Sequence, residues 1–272
     1  MKRITLIMCV LLSVLMACGQ KQRKTVAKST TVSSFTVKSL ECNDSSSYAD
    51  VSLRVDWPQG NSSLARKVRS YLKSQLDSVL SINLNVQPDQ NLKLPSYKGS
   101  LSDGHAMLDF YSRLLCDSLT ASSKSIRQDF PSSPSYAANA KLRLDGKSSR
   151  FVTYVTEVYS FRGGAHGMTT VYGVSIDRRT GKVIRALRPT QTARRLQPLL
   201  RKGVLEYFAA NGQPVKDAEL NDMLFLDGNA IPLPVKAPYL TPTGVHFVYQ
   251  QYEIAPYAAG HIEFTIPYAK LK

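Results

Sequence analysis

The stretches FVTYVTEVYS at residues 151–160 and TVYGVSI at residues 170–176 decide the fold class. Both are rich in valine, threonine and aromatic residues, which is typical of β-strands. The pair Gly163-Gly164 between them predicts a turn, because glycine readily adopts the positive φ angles that tight turns need. Shorter strand patterns flank this pair at residues 140–144 and 183–187. The four segments together predict an antiparallel meander.

The chain before this meander predicts two strands followed by two helices. Residues 35–41 and 51–57 alternate apolar and polar side chains, which favours strands. Ser62 or Ser63 caps the first helix, because apolar residues recur at helical spacing over residues 64–79. The same spacing predicts a second helix over residues 106–119, directly after Asp103-Gly104.

The chain after the meander predicts a helix and two last strands. The helix ends near Ala210 at Asn211-Gly212, and Pro198 must either lie near its first turn or kink it. Strands are predicted at residues 240–249 and 261–268. We therefore expect an α+β fold of antiparallel sheets with a few packed helices, in two consecutive halves.

The boundary between these halves is predicted at the Pro- and Ser-rich linker of residues 130–134. An N-terminal α+β domain then covers residues 35–134, and a C-terminal α+β domain covers residues 135–272. Residues 18–34 are polar, rich in Lys, Thr and Ser, and without apolar periodicity, so they predict a flexible tether.

The first 17 residues predict an export signal of the lipoprotein type. Lys2 and Arg3 precede an apolar run that is too short to span a bilayer, and the run closes as Leu-Met-Ala-Cys. This ending resembles the lipobox of bacterial lipoproteins, in which Cys18 becomes the lipidated first residue. The alternative is an ordinary secretory signal with an incidental cysteine. We expect a lipid-anchored protein of the bacterial cell envelope, on the periplasmic face of the outer membrane.

An exported chain can form disulfides, which changes how its remaining cysteines are interpreted. Cys9 leaves with the signal and Cys18 takes lipid, so Cys42 and Cys116 remain as one pair. Two interpretations stay open: the pair forms a disulfide, or the two thiols are buried separately. Neither cysteine has a CxxC spacing, and the sequence predicts no metal and no cofactor.

Charge is the compositional feature that points to a class of partner. The chain has 272 residues and a formal net charge of +15, of which +13 remains once Lys2 and Arg3 leave. Such a surplus favours anionic partners: envelope glycan, lipid or an acidic protein, but not nucleic acid in this compartment. Residues 178–202 contain nine basic residues and no acidic one. The binding candidates among them are Arg178, Arg179, Arg194, Arg195, Arg201 and Lys202.

Two polar segments of the second half are further candidates. Gly163, Gly164 and His166 lie in a glycine-rich loop that suits either a hairpin or a ligand-binding loop. Glu253 and Tyr257 lie in a segment that predicts an ordered loop, with the carboxylate accepting backbone N–H groups. We expect the two segments to lie close together in space. There is no nucleophile elbow or P-loop, so no catalytic residue is assigned.

The second half also resembles a known family. The runs FRGGAHG (161–167), YLTPTGVHF (239–247) and YEIAPYAAG (252–260) occur in the order seen in the RsiV-like family of exported domains, with Asp177, Thr180-Gly181 and Ile266-Pro267-Tyr268 at matching places. That family is named after the extracytoplasmic region of a lysozyme-sensing anti-sigma factor. Its members include lipoproteins and domains attached to peptidoglycan deacetylases.

The resemblance implies an extracytoplasmic binding or sensing module of unknown function. This chain shows neither the membrane span and cytoplasmic segment of an anti-sigma factor nor a deacetylase motif. Familiar lysozymes are basic and would be repelled by a net charge of +13. We therefore expect a lipid-anchored module that binds an anionic envelope component or a protein partner. The alternative is a cell-wall glycan hydrolase that uses Glu253 or Glu263 as its acid.

Overall fold

A computed structural model describes residues 34–84 and 94–272. Ser34–Lys272 form one compact unit. The predicted signal peptide, Cys18 and all but the last residue of the predicted tether lie outside the described residues.

The first sheet has six strands in sequential order. The meander predicted from residues 140–187 is confirmed, because β3, β4, β5 and β6 pair antiparallel with one another in sequence order. The last strand is shorter than predicted, since it pairs over two residues only. The strands are β1 (Val37–Ser45), β2 (Ala49–Pro58), β3 (Tyr136–Lys147), β4 (Phe151–Phe161), β5 (Met168–Asp177) and β6 (Val183–Ile184).

One pair in this sheet departs from the predicted antiparallel arrangement, because β2 and β3 run parallel. Between them lie two helices, α1 (Ser63–Asn83) and α2 (Gly104–Asp129). A parallel pair needs such a crossover connection, since a tight turn can only reverse the chain. The sheet thus joins strands from both sides of the linker at residues 130–134. The division of the compact unit into two domains there stays a sequence prediction.

Helices α1 and α2 cover one face of this sheet. Ser62 caps α1 by accepting the N–H of Ala65 at 3.1 Å, and Asp103 caps α2 through the N–H of Ala106 at 3.0 Å. Apolar residues of both helices and of β1 to β5 form one buried core. The second helix runs ten residues beyond the predicted end, to Asp129.

The rest of the chain builds a second, smaller layer. It consists of α3 (Ala193–Ala210), the short α4 (Leu220–Met223) and a three-stranded antiparallel sheet of β7 (Tyr239–Leu240), β8 (Gly244–Tyr249) and β9 (Ile262–Pro267). Pro198 lies beyond the first turn of α3, which continues through it. Gly203 of α3 lets the helix approach Phe264 of β9 closely, because a Cβ there would lie 2.2 Å from the ring.

The two sheets are joined by a buried polar cluster. Thr153 Oγ1 of β4 lies 2.7 Å from the Leu240 carbonyl oxygen and 2.8 Å from Ser175 Oγ. The Leu240 N–H donates to Ser175 Oγ at 2.8 Å. Val155, Tyr239 and Val248 pack beside this cluster. The second layer is thereby fixed to β4 and β5, opposite the helices.

Cys42 on β1 and Cys116 on α2 both contribute to the first core, and both thiols are free. Burial raises the pKa of each thiol above its usual value. A disulfide between Cys42 and Cys116 is not formed in this structure and stays a prediction from the sequence. None of the helices in the described ranges is long and apolar enough to cross a membrane.

Candidate binding site

The glycine-rich loop and the 252–257 segment meet at the start of β5, as expected from the sequence. His166 stacks on Tyr257 with ring centroids 3.8 Å apart, and Tyr252 lies 5.7 Å from Tyr257. Tyr257 Oη donates to the Gly167 carbonyl at 3.0 Å. We call these three rings, His166, Tyr252 and Tyr257, the aromatic corner.

The hydrogen bonds of His166 orient its ring in the corner. Its Nδ1 lies 3.1 Å from the Gly167 carbonyl, and its Nε2 lies 3.3 Å from Tyr252 Oη. A carbonyl can only accept, so His166 Nδ1 donates to Gly167, and both ring nitrogens have a hydrogen-bond partner. Gly163 and Gly164 have φ angles of +87° and +90°, which explains why the loop needs glycine at both positions.

Tyr252 holds a strained backbone conformation. Its φ is +64°, and no other non-glycine residue in the described ranges has a positive φ. A bulky side chain in the left-handed region costs free energy, and such strain concentrates at binding and catalytic sites. The Tyr252 side chain is also 51% exposed. The strain therefore presents an aromatic ring to solvent.

Two glutamine side chains fasten the corner to the edge of β5. Gln250 pairs with Val171 through both amide atoms, accepting its N–H at 2.9 Å and donating to its carbonyl at 2.8 Å. Gln251 accepts the N–H of Thr169 at 3.0 Å. His261 Nε2 donates to the Thr169 carbonyl at 3.0 Å. These side chains replace the strand that β5 lacks along this edge, because β6 pairs only with residues 175 and 176.

Glu253 has the structural role that its sequence context predicts. One carboxylate oxygen accepts the Val235 N–H at 2.6 Å, and the other accepts the Gln250 N–H at 2.7 Å. Both oxygens are thus used to hold the backbone that carries the corner. The arrangement favours a positioning role for Glu253 over an acid–base role.

Glu263 is the second carboxylate of the hydrolase interpretation. Its Oε2 lies 3.4 Å from His246 Nε2, and this hydrogen bond holds the pKa of Glu263 below its usual value. A general acid in glycoside hydrolysis needs a raised pKa. Glu263 is therefore poorly suited to donate a proton at neutral pH. In the described part of the chain, no group of three His, Cys, Asp or Glu side chains could hold a metal ion.

A polar groove of about 420 Å³ lies beside the corner, on the face of the large sheet opposite α1 and α2. Tyr159 connects the two features, since its ring packs so closely on Gly167 that a Cβ there would lie 2.3 Å away. Lys141 and Glu157 form an ion pair across the groove at 3.5 Å. The groove is lined by Glu41, Ser52, Arg54, Asn139, Lys141, Glu157, Tyr159 and Thr169.

The predicted basic residues lie away from the corner. Arg178 and Arg179 follow the last residue of β5, whereas the corner lies before its first residue. At about 3.3 Å per residue, the strand separates the two features by about 30 Å. Arg194 and Arg195 are exposed in the first turn of α3. The sequence-predicted site residues therefore fall into two groups.

Several of these basic side chains bind within the protein. Arg201 donates to Asp217 Oδ1 at 3.0 Å and to Asn221 Oδ1 at 2.7 Å, which fixes α4 and the segment before it to α3. Lys202 pairs with Glu206 at 3.4 Å, and Arg178 donates to the Ser148 carbonyl at 3.0 Å. Arg201 in particular has a structural role that helical spacing alone does not reveal.

The comparisons with known proteins agree with this architecture. Residues 189–269 match the model of the DUF3298 family, described as a protein of unknown function. No curated protein matches the chain. The fold is similar to that of a DUF3298 member from Bacteroides fragilis NCTC 9343, with a TM-score of 0.59 and 16% identity over 86% of this chain and 91% of that one. A DUF3298 protein from Pseudomonas aeruginosa PAO1 gives a TM-score of 0.53 and 17% identity over 86% and 92%. The chain thus carries a DUF3298 match in its second half and shares the fold of solved DUF3298 proteins.

Proposed function

We propose that this chain is a lipid-anchored, non-catalytic binding module of the bacterial envelope, and that the aromatic corner binds an anionic envelope glycan. The observation that carries the proposal is the convergence of two sequence-distant segments on exposed rings, one of them on a strained backbone. Strain of this kind persists where the surroundings fix it for binding or catalysis. Both carboxylate oxygens of Glu253 accept backbone N–H groups, so a binding role for the corner is better supported than a catalytic one.

The chemistry around the corner suits a sugar chain with negative charges. Tyrosine offers a large apolar ring face and a polar hydroxyl, a combination that fits ligands with alternating apolar and polar surfaces. The adjoining groove holds two basic residues, Arg54 and Lys141, which can donate to carboxylate or phosphate groups. It also holds two acidic residues, Glu41 and Glu157, of which Glu157 pairs with Lys141. The formal net charge of +13 that remains once Lys2 and Arg3 leave adds long-range attraction for an anionic ligand.

The test is retention of the purified chain by isolated peptidoglycan sacculi in a sedimentation assay. Removing the two exposed rings, as His166→Ala with Tyr252→Ala, should weaken retention about tenfold, since a lost aromatic contact costs about 1 kcal/mol or more. Phe130→Ala is the matched control, because Phe130 is an exposed aromatic on a different element, the end of α2. Unchanged retention in the double variant would exclude the corner as the glycan site.

The same samples discriminate the hydrolase alternative. Release of soluble glycan fragments by the wild-type chain, abolished by Glu253→Gln or Glu263→Gln, would overturn the non-catalytic proposal. If sacculi do not retain the chain at all, the glycan proposal is wrong, and a protein partner at the corner becomes the next hypothesis.

The lipid anchor is tested separately. In cells fed an alkyne fatty acid, the wild-type chain should incorporate the label and sediment with membranes. Cys18→Ala should lose both properties, because a cysteine thiol is the group that lipoprotein processing acylates. Cys9→Ala is the matched control and should keep both. Label that persists in Cys18→Ala would contradict the anchor.

A further inference from the structure

A second cavity lies at the other end of β5 from the aromatic corner, between β6 and the small sheet. Its volume is about 690 Å³, within the range of about 300–1,000 Å³ typical of small-molecule sites. We call it the cationic pocket. Its lining includes Arg150, Phe151, Arg185, Arg188, Leu240 and Leu271.

The pocket exists because β6 ends early. Pairing with β5 stops after Ile184, so Arg185 and Ala186 leave the sheet instead of extending it. On the opposite side, Leu240 is held against β4 and β5 by the buried Thr153 and Ser175 hydroxyls. The gap between the departing chain and the fixed β7 strand is the pocket.

The floor of the pocket is apolar. Phe151, Leu240, Val245 and Leu271 belong to the second buried core, and each is at most 7% exposed. Ile184 and Ala186 pack against the same core from the side. Apolar surface that lines an open cavity is stabilised when an alkyl group displaces its water.

The rim of the pocket is positively charged. Within the described residues, the guanidinium groups of Arg150 and Arg185 make no hydrogen bond or ion pair, whereas Arg188 donates to the Leu271 carbonyl at 2.7 Å. Lys272 adds an ammonium group to the lining. No lining residue is Asp or Glu. The rim therefore presents three arginines to an anion.

From this combination we infer that the cationic pocket binds a single-chain anionic amphiphile, with the alkyl chain on the apolar floor and a carboxylate or phosphate head at Arg150 and Arg185. Guanidinium groups bind both heads through paired N–H donors. A neutral amphiphile would leave the arginines without a partner, and a small anion would leave the apolar floor uncovered. The inference does not rest on the glycan proposal, because the corner and the pocket lie at opposite ends of β5.

The experiment is isothermal titration calorimetry with the full chain carrying Cys18→Ala, so that no acyl group on the protein itself competes. The probes are dodecanoate and dodecyl phosphate, each below its critical micelle concentration. Dodecyl maltoside tests the alkyl chain without an anionic head, and inorganic phosphate tests the head without an alkyl chain. Arg150→Glu with Arg185→Glu should weaken binding of the anionic probes at least tenfold. Lys98→Glu with Lys124→Glu, at two exposed positions outside the pocket, is the control of equal charge change and should alter it less than twofold.

Filling the pocket provides a second, uncharged variant. Ala186→Trp should also weaken binding at least tenfold, while circular dichroism confirms that each variant stays folded. Binding of dodecanoate alone supports a fatty-acid site, and binding of dodecyl phosphate alone supports a phospholipid-type site. The inference is overturned if neither probe binds, if dodecyl maltoside binds as tightly, if inorganic phosphate matches dodecyl phosphate, or if the control variant loses as much affinity.

Discussion

Replacing Glu253 with alanine should lower the free energy of unfolding by about 2–4 kcal/mol. Its carboxylate accepts the N–H groups of Val235 and Gln250 at 2.6 and 2.7 Å. A hydrogen bond to a charged group contributes about 1.5–3 kcal/mol, and alanine leaves both donors without a protein partner. Urea denaturation followed by circular dichroism measures the change.

Two further variants make this prediction specific. Glu253→Gln keeps one acceptor oxygen and should show about half the loss, because its NH₂ group cannot accept the second N–H. Glu157→Ala removes a carboxylate whose partner is the exposed Lys141, so it should cost about 1 kcal/mol or less. A loss in Glu253→Ala no larger than that in Glu157→Ala would show that the carboxylate does not hold this backbone.

The same variants separate positioning from chemistry at the corner. Glu253→Ala should weaken sacculus retention, because Tyr252 and Tyr257 flank the residue on the backbone that it fixes. Glu253→Gln should retain most of the binding. If sacculus retention and stability fall in parallel across the Glu253 variants, Glu253 has a positioning role. If a glycan-cleaving activity is lost while retention stays intact, Glu253 has a catalytic role.

The strands of the meander could be predicted because their signal is local. Residues 151–160 and 170–176 carry their own β-propensity, and the turns between them contain glycine. Helix starts were also predicted from local patterns, at Ser62 or Ser63 and directly after Asp103-Gly104, and the Ser62 and Asp103 side chains cap the two helices. The α+β class follows from these local patterns.

The features that the sequence did not predict depend on contacts between residues that are far apart in the chain. The parallel pairing of β2 with β3 brings together strands separated by two helices. Gln250 reaches Val171 across 79 positions of sequence, and a polar glutamine carries no signal that it will cap a strand edge. The early end of β6, which opens the cationic pocket, also differs from the sequence prediction of a strand to residue 187. Arg201 was assigned to a binding surface because helical spacing cannot reveal Asp217 as its partner.

Replacing Thr153 with valine should lower the free energy of unfolding by about 2–4 kcal/mol. Thr153 is fully buried, and its hydroxyl contacts both the Leu240 carbonyl and Ser175 Oγ. Valine has the same shape but no hydroxyl, so the Leu240 carbonyl and Ser175 Oγ both lose a buried partner. Thr170→Val is the matched control on the neighbouring strand, where the hydroxyl makes no hydrogen bond within the described residues. It should change stability by about 0.5 kcal/mol or less.

This variant also tests whether the two halves unfold together. The sole tryptophan, Trp57, is buried in the first core, whereas Thr153 holds the second layer on the opposite face. If the pairing of β2 with β3 makes the two halves unfold together, the Thr153→Val variant should unfold at one lower urea midpoint. Trp57 fluorescence and circular dichroism should then report the same midpoint. A Trp57 transition that stays at the wild-type midpoint while circular dichroism shifts would instead support two domains divided at residues 134 and 135. The polar cluster around Thr153 would then stabilise the C-terminal half alone.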